Sequence, residues 1–477
     1  MQRVNHQKAK IVATVGPASS SYDMLLGLVQ AGVDVFRLNF SHGAHDELEK
    51  VINHIMYINE KYNLHISILA DLQGPKLRIG KMAKGAVELE RGDIINFTNE
   101  ECLGTNKKVY MNYAQFASDV KVGERVLVDD GKLVFEVLET NGTDLVKMEV
   151  KFGGQLSSNK GVNLPNTKIS LPSLTEKDLK DLDFILKQPI NWIALSFVRS
   201  PSDIKELRKI VDAAKHPAKI LAKIEKPEAI DNIDKIIKAS NGIMVARGDL
   251  GIEVPIEKLP TMQKMIVRKC LKYSRPCIVA THMMDSMITS PIPTRAEILD
   301  VANAVLDGAD AVMLSGETSV GEHPILVVEE MNKIIYEAEY HHPDKITASK
   351  PSKKARTFFS DSICYNAAKL AGDIGAKAII GMTSSGYTAF KVSSFRPDDK
   401  IYIFSDQHHM LSTLGLVWGV ECFYYDKFTT TDETITDVTD ILKNKGLLRT
   451  GDVVVNSGSM PLAKRYRTNM LKITVIE

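Results

Sequence analysis

Residues 219–251 read KILAKIEKPEAIDNIDKIIKASNGIMVARGDLG. An apolar strand, KILAKIE, ends on a lysine and a glutamate two positions apart. A helical stretch follows, and a second apolar strand, GIMVARGDLG, ends on Arg247 and Asp249 among glycines. This is a β-then-α unit, and the chain keeps the cadence through eight strands. The others are KIVATVG (10–16), VDVFRLNFSHG (33–43), HISILADLQG (65–74), WIALSFV (192–198), CIVATHM (277–283) and DAVMLSGET (310–318). Eight such units predict a (β/α)8 barrel, whose active groups lie at the C-terminal strand ends. Those ends supply Thr14, Arg37, Asn39, Ser41, Asp71, Lys223, Glu225, Arg247, Asp249, Thr281, Ser315 and Glu317. Cations, carboxylates and hydroxyls converging on one mouth suit a charged substrate and a metal ion.

Between the third and fourth strands the cadence breaks. From about residue 73 to 168 the apolar period is mostly two, as in VELERGDIINFT and RVLVDDGKLVFEVLE, with turns at Asp130-Gly131 and Asn141-Gly142. That is the signature of antiparallel β-structure. The chain therefore divides into a barrel over 1–72 and 169–340 and an inserted β lid domain over 73–168. A Lys-rich linker follows at 341–358, then a C-terminal α/β domain over 359–477. Strands AKAIIGMT, KIYIFSD, VECFYY, DVVVNSG and LKITVIE mark that last domain, the final two close enough for an antiparallel hairpin. An insert at the active-site face is placed to act as a lid. Thr175 to Asp178 has the spacing of a helix capping box, with Asp in place of Glu.

With 60 Lys+Arg against 59 Asp+Glu, net charge gives no support to nucleic-acid binding. Five scattered cysteines without a CxxC pair argue against a disulfide framework and a zinc site. The start, MQRVNHQKAK, has no apolar signal region, and no apolar run reaches the roughly 18 residues of a membrane span. The expectation is a cytoplasmic enzyme with no membrane or nucleic-acid partner.

On a strand, residues two apart share a face, so Lys223 and Glu225 project into the mouth together. The rival reading is a core ion pair. Asp249, between Gly248 and Gly251, sits where a strand turns into a helix, and the free N–H groups of a helix start attract anions. Two hard carboxylates, Glu225 and Asp249, on adjacent strands can hold Mg²⁺. Arg37, Asn39 and Ser41 alternate, so they are expected to face one way. Arg37 suits a phosphate, and Asn39, Ser41 and Asp71 offer oxygens to a cation. His42 reads as a structural residue. Thr281, Ser315 and Glu317 are placed for a hydroxyl–carboxylate proton relay. There is no Walker A sequence. In the C-terminal domain, Thr383-Ser384-Ser385-Gly386-Tyr387-Thr388 joins a strand to a helix and can cradle a phosphate.

These stretches together resemble the pyruvate kinase family. KIVATVGPASS, FRLNFSHG, DLQGPKLRIG, NKGVNLP, AKIEKPEAI, MVARGDLG and PTRAEILDVANAVLDGADAVMLSGET occur in family order. The resemblance covers essentially the whole chain. It implies phosphoryl transfer from phosphoenolpyruvate to ADP, giving pyruvate and ATP. By the same resemblance Glu225 and Asp249 hold Mg²⁺ (or Mn²⁺), and a second Mg²⁺ arrives with the nucleotide. Amides near Gly248 and Asp249 take the substrate carboxylate, and Arg37 and Lys223 take the phosphoryl group. Thr281, with Ser315 and Glu317 behind it, delivers a proton. Arg78 and Lys160 contact the nucleotide. Lys76 stands where many relatives carry Glu, and Leu72 where K⁺-requiring relatives usually have Thr. The resemblance to the K⁺-independent subgroup therefore implies that K⁺ is not required, with the Lys76 ammonium serving the Asn39, Ser41 and Asp71 pocket. Thr383, Ser384, Ser385, Gly386 and Thr388 resemble an effector site for a sugar phosphate or AMP. Lys464, Arg465 and Arg467, in the loop before the last strand, read either as a grip on a second phosphate or as a solvated charge run. A homotetramer is implied. Two rival classes are a barrel lyase or aldolase acting on pyruvate-like acids, and a non-catalytic metabolite sensor.

Overall fold

The computed structural model describes residues 7–341, 349–427, 430–460 and 467–477. Eight parallel strands close into a barrel in sequential order. They are β1 (Lys10–Val15), β2 (Val35–Asn39), β3 (Ser67–Asp71), β4 (Trp192–Leu195), β5 (Lys219–Ile224), β6 (Gly242–Ala246), β7 (Cys277–Ala280) and β8 (Ala311–Leu314). Alternation divides their side chains. Val12, Val35, Leu69, Trp192, Leu221, Met244 and Met313 fill the barrel interior. Ile11, Phe36, Ile68, Ile193, Ile220, Ile243 and Val312 pack outward against the helices. Burying both faces explains why these strands are apolar throughout. The capping box at Thr175 and Asp178 is formed and starts the helix Glu176–Ile185. Among the described residues no helix is long and apolar enough to cross a membrane.

The insert is a curled antiparallel half-barrel of six strands with a separate two-stranded ribbon. It is the inserted antiparallel β-barrel lid that the period-two pattern implies, with one parallel ladder, Ile94–Thr98 against Lys108–Tyr110. A second core, around Phe97, Phe116, Phe135 and Val150, holds it together.

The C-terminal domain begins with the helix Phe358–Asp373 and carries β9 (Ala378–Met382), β10 (Lys400–Ser405), β11 (Val420–Tyr424), β12 (Val453–Gly458) and β13 (Met470–Val475), in the order β11-β10-β9-β12-β13. The last two strands form the expected antiparallel hairpin. This domain seals the N-terminal end of the barrel, its floor. Leu416 enters the interior cluster, the Trp192 indole donates to Thr413 O at 3.1 Å, and Lys10 Nζ donates to Val420 O at 2.9 Å. The mouth at the opposite end is left to the lid.

Candidate active site

At the mouth, β2, β3 and β5 run side by side or nearly so and bring four charges into one network. Asp71, buried at the end of β3, receives Arg37 Nη2 at 2.6 Å and Nε at 2.7 Å on the same oxygen. Its other oxygen lies 3.3 Å from Lys223 Nζ, an ion pair too oblique for a hydrogen bond. Lys223 Nζ is also 3.0 Å from Glu225 Oε1 and donates to Ser196 Oγ at 2.8 Å. Glu225 Oε2 accepts the Phe197 N–H at 2.7 Å. Arg37 Nη1 donates to Thr14 Oγ1 at 3.0 Å, and Thr14 donates in turn to Leu314 O at 2.8 Å.

Burial and charge oppose one another here. Burial alone would raise the Asp71 carboxyl, but Lys223 and Arg37 outweigh it and hold it below the usual range. Burial would lower the Lys223 ammonium, but Asp71 and Glu225 hold it above the usual lysine range. Glu225 goes the other way. Burial pushes it up and the nearby Asp249 charge adds to this, more than Lys223 offsets. Two hard carboxylates of which one is raised partly by the other form a donor pair that a divalent cation relieves. The Glu225–Asp249 pair therefore fits Mg²⁺ or Mn²⁺. Among the described residues no group of three or more His, Cys, Asp or Glu side chains forms a metal site, so remaining ligands would be water and substrate oxygens.

Asp249 lies in the first turn of the helix Arg247–Glu253. The Gly248 N–H donates to Thr281 Oγ1 at 2.7 Å, which ties that turn to the end of β7. Thr281 takes a positive φ of 69°. Arg247 holds this strained corner, donating to Thr281 O at 2.6 Å while pairing with Asp300 at 2.7 Å. Glu317, buried, accepts the Ser315 N–H at 2.6 Å and the Met284 N–H at 3.1 Å, and burial pushes its carboxyl up. Thr281 and Glu317 thus have separate backbone partners.

One residue sits differently from the sequence reading. Ser41 is not on β2, which ends at Asn39. Asn39 Oδ1 accepts the Ser41 N–H at 3.1 Å, a side-chain turn that rotates Ser41 out of the alternation. Asp71 is partnered by Arg37 and Lys223, while Lys76 is exposed at the rim. Lys76 lines a cavity of about 80 Å³ between lid and barrel, together with Asp130, Asn163, Phe197, Lys226 and Asp249. Arg78 bridges to Gly161 across the lid, and the neighbouring Lys160 pairs with Asp129 at 2.9 Å. In the C-terminal loop Gly386 has a φ of 80° and its N–H donates to Thr383 Oγ1 at 2.9 Å. Ser384 and Ser385 reach solvent, whereas Thr388 is buried against Thr468 at 2.7 Å. Arg467 Nη1 donates to Arg356 O at 3.1 Å. Lys464 and Arg465 lie outside the described residues.

Sequence reasoning passed over Ser196 and Phe197, although both stand in the quoted strand WIALSFV. It also passed over a buried pair at the lid seam. Lys226 Nζ lies 2.6 Å from Glu253 Oε1, which also accepts from Asn163 of the lid at 3.0 Å.

A lidded (β/α)8 barrel with paired cations and hard carboxylates at its mouth defines an enzyme acting on a small anionic substrate with divalent metal. The comparisons with known proteins narrow this. Residues 6–328 match the pyruvate kinase barrel domain and residues 361–474 the pyruvate kinase alpha/beta domain. Pyruvate kinase of Corynebacterium glutamicum is 42% identical over 470 residues, 98% of each chain. That of Geobacillus stearothermophilus is 40% identical over 475 residues, 98% of this chain and 80% of the relative. A crystal structure of a pyruvate kinase from Cryptosporidium parvum superposes with a TM-score of 0.92 at 33% identity, over 99% of this chain and 97% of that one. The chain belongs to the pyruvate kinase family and has pyruvate kinase activity.

Proposed function

We propose that the mouth transfers the phosphoryl group of phosphoenolpyruvate to ADP with the following division of labour. The observation that carries it is the closed network Arg37–Asp71–Lys223–Glu225, in which each charge is held by its neighbours before substrate arrives. Preorganised charge of this kind needs no rearrangement as the reaction proceeds. Arg37 and Lys223 grip the phosphoryl oxygens. The bond from phosphorus to the enol oxygen breaks as a terminal ADP oxygen bonds to phosphorus. The enolate left behind takes a proton at carbon, with Lys223 stabilising its oxygen and the Thr281 hydroxyl, backed by Ser315 and Glu317, at the delivery face. Glu225 and Asp249 are the metal ligands, and bound Mg²⁺ or Mn²⁺ would supply charge neutralisation to the substrate's oxygens. The Asp249 amide, in the first turn of the helix Arg247–Glu253, orients the substrate carboxylate, and the Gly248 N–H joins it by exchanging Thr281 Oγ1 for the substrate. Arg78 and Lys160, brought together at the Arg78–Gly161 bridge of the lid, bind nucleotide phosphates.

Potassium independence belongs to the same reading. The positive charge of Lys76 reaches the turn after Asn39, where burial first, then Lys76 and Arg78, hold the His42 imidazole below its ordinary range. Leu72 brings no hydroxyl to this place. ATP formation from phosphoenolpyruvate, ADP and Mg²⁺ in buffer free of Na⁺ and K⁺ tests both points. Wild type is expected to be fully active, and Lys76→Glu to need added K⁺. A wild-type requirement for K⁺ would refute this.

The loop Thr383–Thr388 is proposed to bind a sugar phosphate or AMP as activator through Thr383, Ser384, Ser385 and the Gly386 turn. Ser384→Glu should abolish the activation, and unchanged activation would remove the site. A cytoplasmic homotetramer completes the proposal. Exposed Ile292 and Leu299 on the barrel, and exposed Ile473 and Val475 on the edge strand β13, offer two apolar surfaces for subunit contact.

A further inference from the structure

The barrel floor carries a second cluster of charge that the reaction does not use. Lys219 opens β5, Asn241 precedes β6 and Arg275 lies two residues before β7. The ladders pair Leu221 with Gly242 and Ile243 with Cys277, so these three residues stand side by side at the strand starts. Neighbouring strands are about 4.8 Å apart, which brings the backbones of Lys219 and Arg275 within about 10 Å of each other. Arg208, on the helix Pro201–Ala213, reaches the same point and donates to Asn241 Oδ1. That oxygen also accepts the Ile220 N–H at 3.0 Å.

What the cluster lacks is an anion. Among the described residues none of the three cations forms an ion pair, and Arg275 Nε is buried with no hydrogen-bond partner. Among the described residues the carboxylate that acts on them is the exposed Asp212, which favours the Arg208 charge. Burial, and then the two neighbouring arginines, push the Lys219 ammonium down; burial and then Arg208 do the same to Arg275. Partly buried cations that repel one another without a counter-charge cost stability unless an anion joins them. The C-terminal domain packs along the same rim. His409 Nε2 meets Ile190 O at 3.1 Å, and Ser274 Oγ meets Ser394 Oγ at 2.9 Å.

We infer that Arg208, Lys219 and Arg275 form a binding site for a compact, multiply charged oxyanion of the phosphate class, at the seam of barrel floor and C-terminal domain. Two arginine forks and an ammonium, near enough to repel one another, offer the donors that the oxygens of a phosphoryl group take. The ligand is either inorganic phosphate or the phosphoryl group of a small phosphomonoester. The site lies at the end of the barrel opposite the mouth and is built of different residues from the Thr383–Thr388 loop.

The experiment compares thermal melting of the full-length protein, at constant ionic strength, in chloride alone and with added inorganic phosphate or glycerol phosphate. Wild type, Lys219→Gln, Arg275→Gln and Ser384→Glu are measured in parallel. In chloride the two floor variants should melt no lower than wild type, because each removes a repelled charge. With phosphate, each should show about tenfold weaker apparent affinity than wild type, while Ser384→Glu keeps the floor response. The larger wild-type response at equal concentration identifies which ligand form the site prefers. A crystal grown free of phosphate and sulfate and soaked in selenate should show anomalous density among the three side chains. Floor variants that respond to phosphate as wild type does would overturn the proposal, as would an empty floor after the soak. Loss of subunit assembly in the floor variants, with an unchanged phosphate response, would also overturn it and assign the cations to a subunit contact.

Discussion

Lys219 and Lys223 lie on the same strand and the same face, two periods of alternation apart, and meet opposite fates. At the mouth, Lys223 has Glu225 at 3.0 Å and Asp71 at 3.3 Å, and its charge is held above the usual range. At the floor, burial and then Arg208 and Arg275 push the Lys219 charge down. The same fold thus holds one set of cations ready and another in deficit. In a closed network, charge is a fixed tool, aimed at a group that arrives and leaves in each turnover. In an open cluster, charge is a vacancy in the electrostatics, and a ligand that fills it gains affinity from the repulsion it removes.

The largest effect should come from breaking the closed network. Lys223→Met removes the cation shared by two buried carboxylates, and kcat should fall at least about 10³-fold. Steady-state kinetics with phosphoenolpyruvate and ADP reads this directly, with circular dichroism confirming a folded chain. A loss under about tenfold would mean that the network is structural scaffolding.

Next in size is the pair that ties the lid to the barrel. Glu253→Ala strands Lys226, which is 6% exposed, and removes the acceptor for Asn163. Breaking a buried pair by deleting one partner costs about 3 to 5 kcal/mol. Unfolding in urea should show this loss, and Lys226→Met combined with Glu253→Gln should recover much of it. If Glu253→Ala costs under about 1 kcal/mol, water reaches the pair and the lid seam is as permissive as the floor.

The comparison also shows what a sequence can disclose. The barrel is legible because both faces of each strand are buried, which leaves eight apolar runs at regular spacing. The mouth is legible because polar residues break those runs at the same end each time: Arg37, Asp71, Lys223 and Glu225 all stand at or within two residues of a strand's end. Ser41 was misread because alternation was carried past Asn39, where a side-chain turn had ended the strand. Ser196 was in plain view, but a serine at a strand end has no pattern to mark it. The Asn163–Glu253–Lys226 contact depends on how the lid docks, and spacing along the chain carries no trace of that. The floor cations stayed hidden for a related reason. Lys219, Arg275 and Arg208 each occupy a place where a solvated charge is ordinary, and the strand register with the packing of the helix Pro201–Ala213 brings them together.

A gentler way to sharpen the contrast is pH, through His65 beneath the barrel. Its ring borders a cavity of about 600 Å³ between barrel and C-terminal domain, faced by Lys10, Asp34, His408, Glu421 and Lys445. His408 is the nearest aromatic neighbour, with centroids 6.5 Å apart. Burial, and secondarily His408, push the His65 imidazole down from 6.5 to about 4. A histidine lowered in the folded state contributes its stability above pH 6.5. As pH falls from 6.5 towards 4 the unfolded chain takes a proton that the native chain refuses, and stability drops by up to about 1.4 kcal/mol per pH unit. The full loss, about 3 kcal/mol, is reached below pH 4. Denaturation of wild type and His65→Gln between pH 7 and pH 4.5 separates this group from the general acid response. The variant should lose stability more slowly over that window, and the two curves should run parallel above pH 7. Parallel curves throughout would show that His65 is hydrated in the folded protein, and that the floor tolerates charge at this corner as readily as the mouth does.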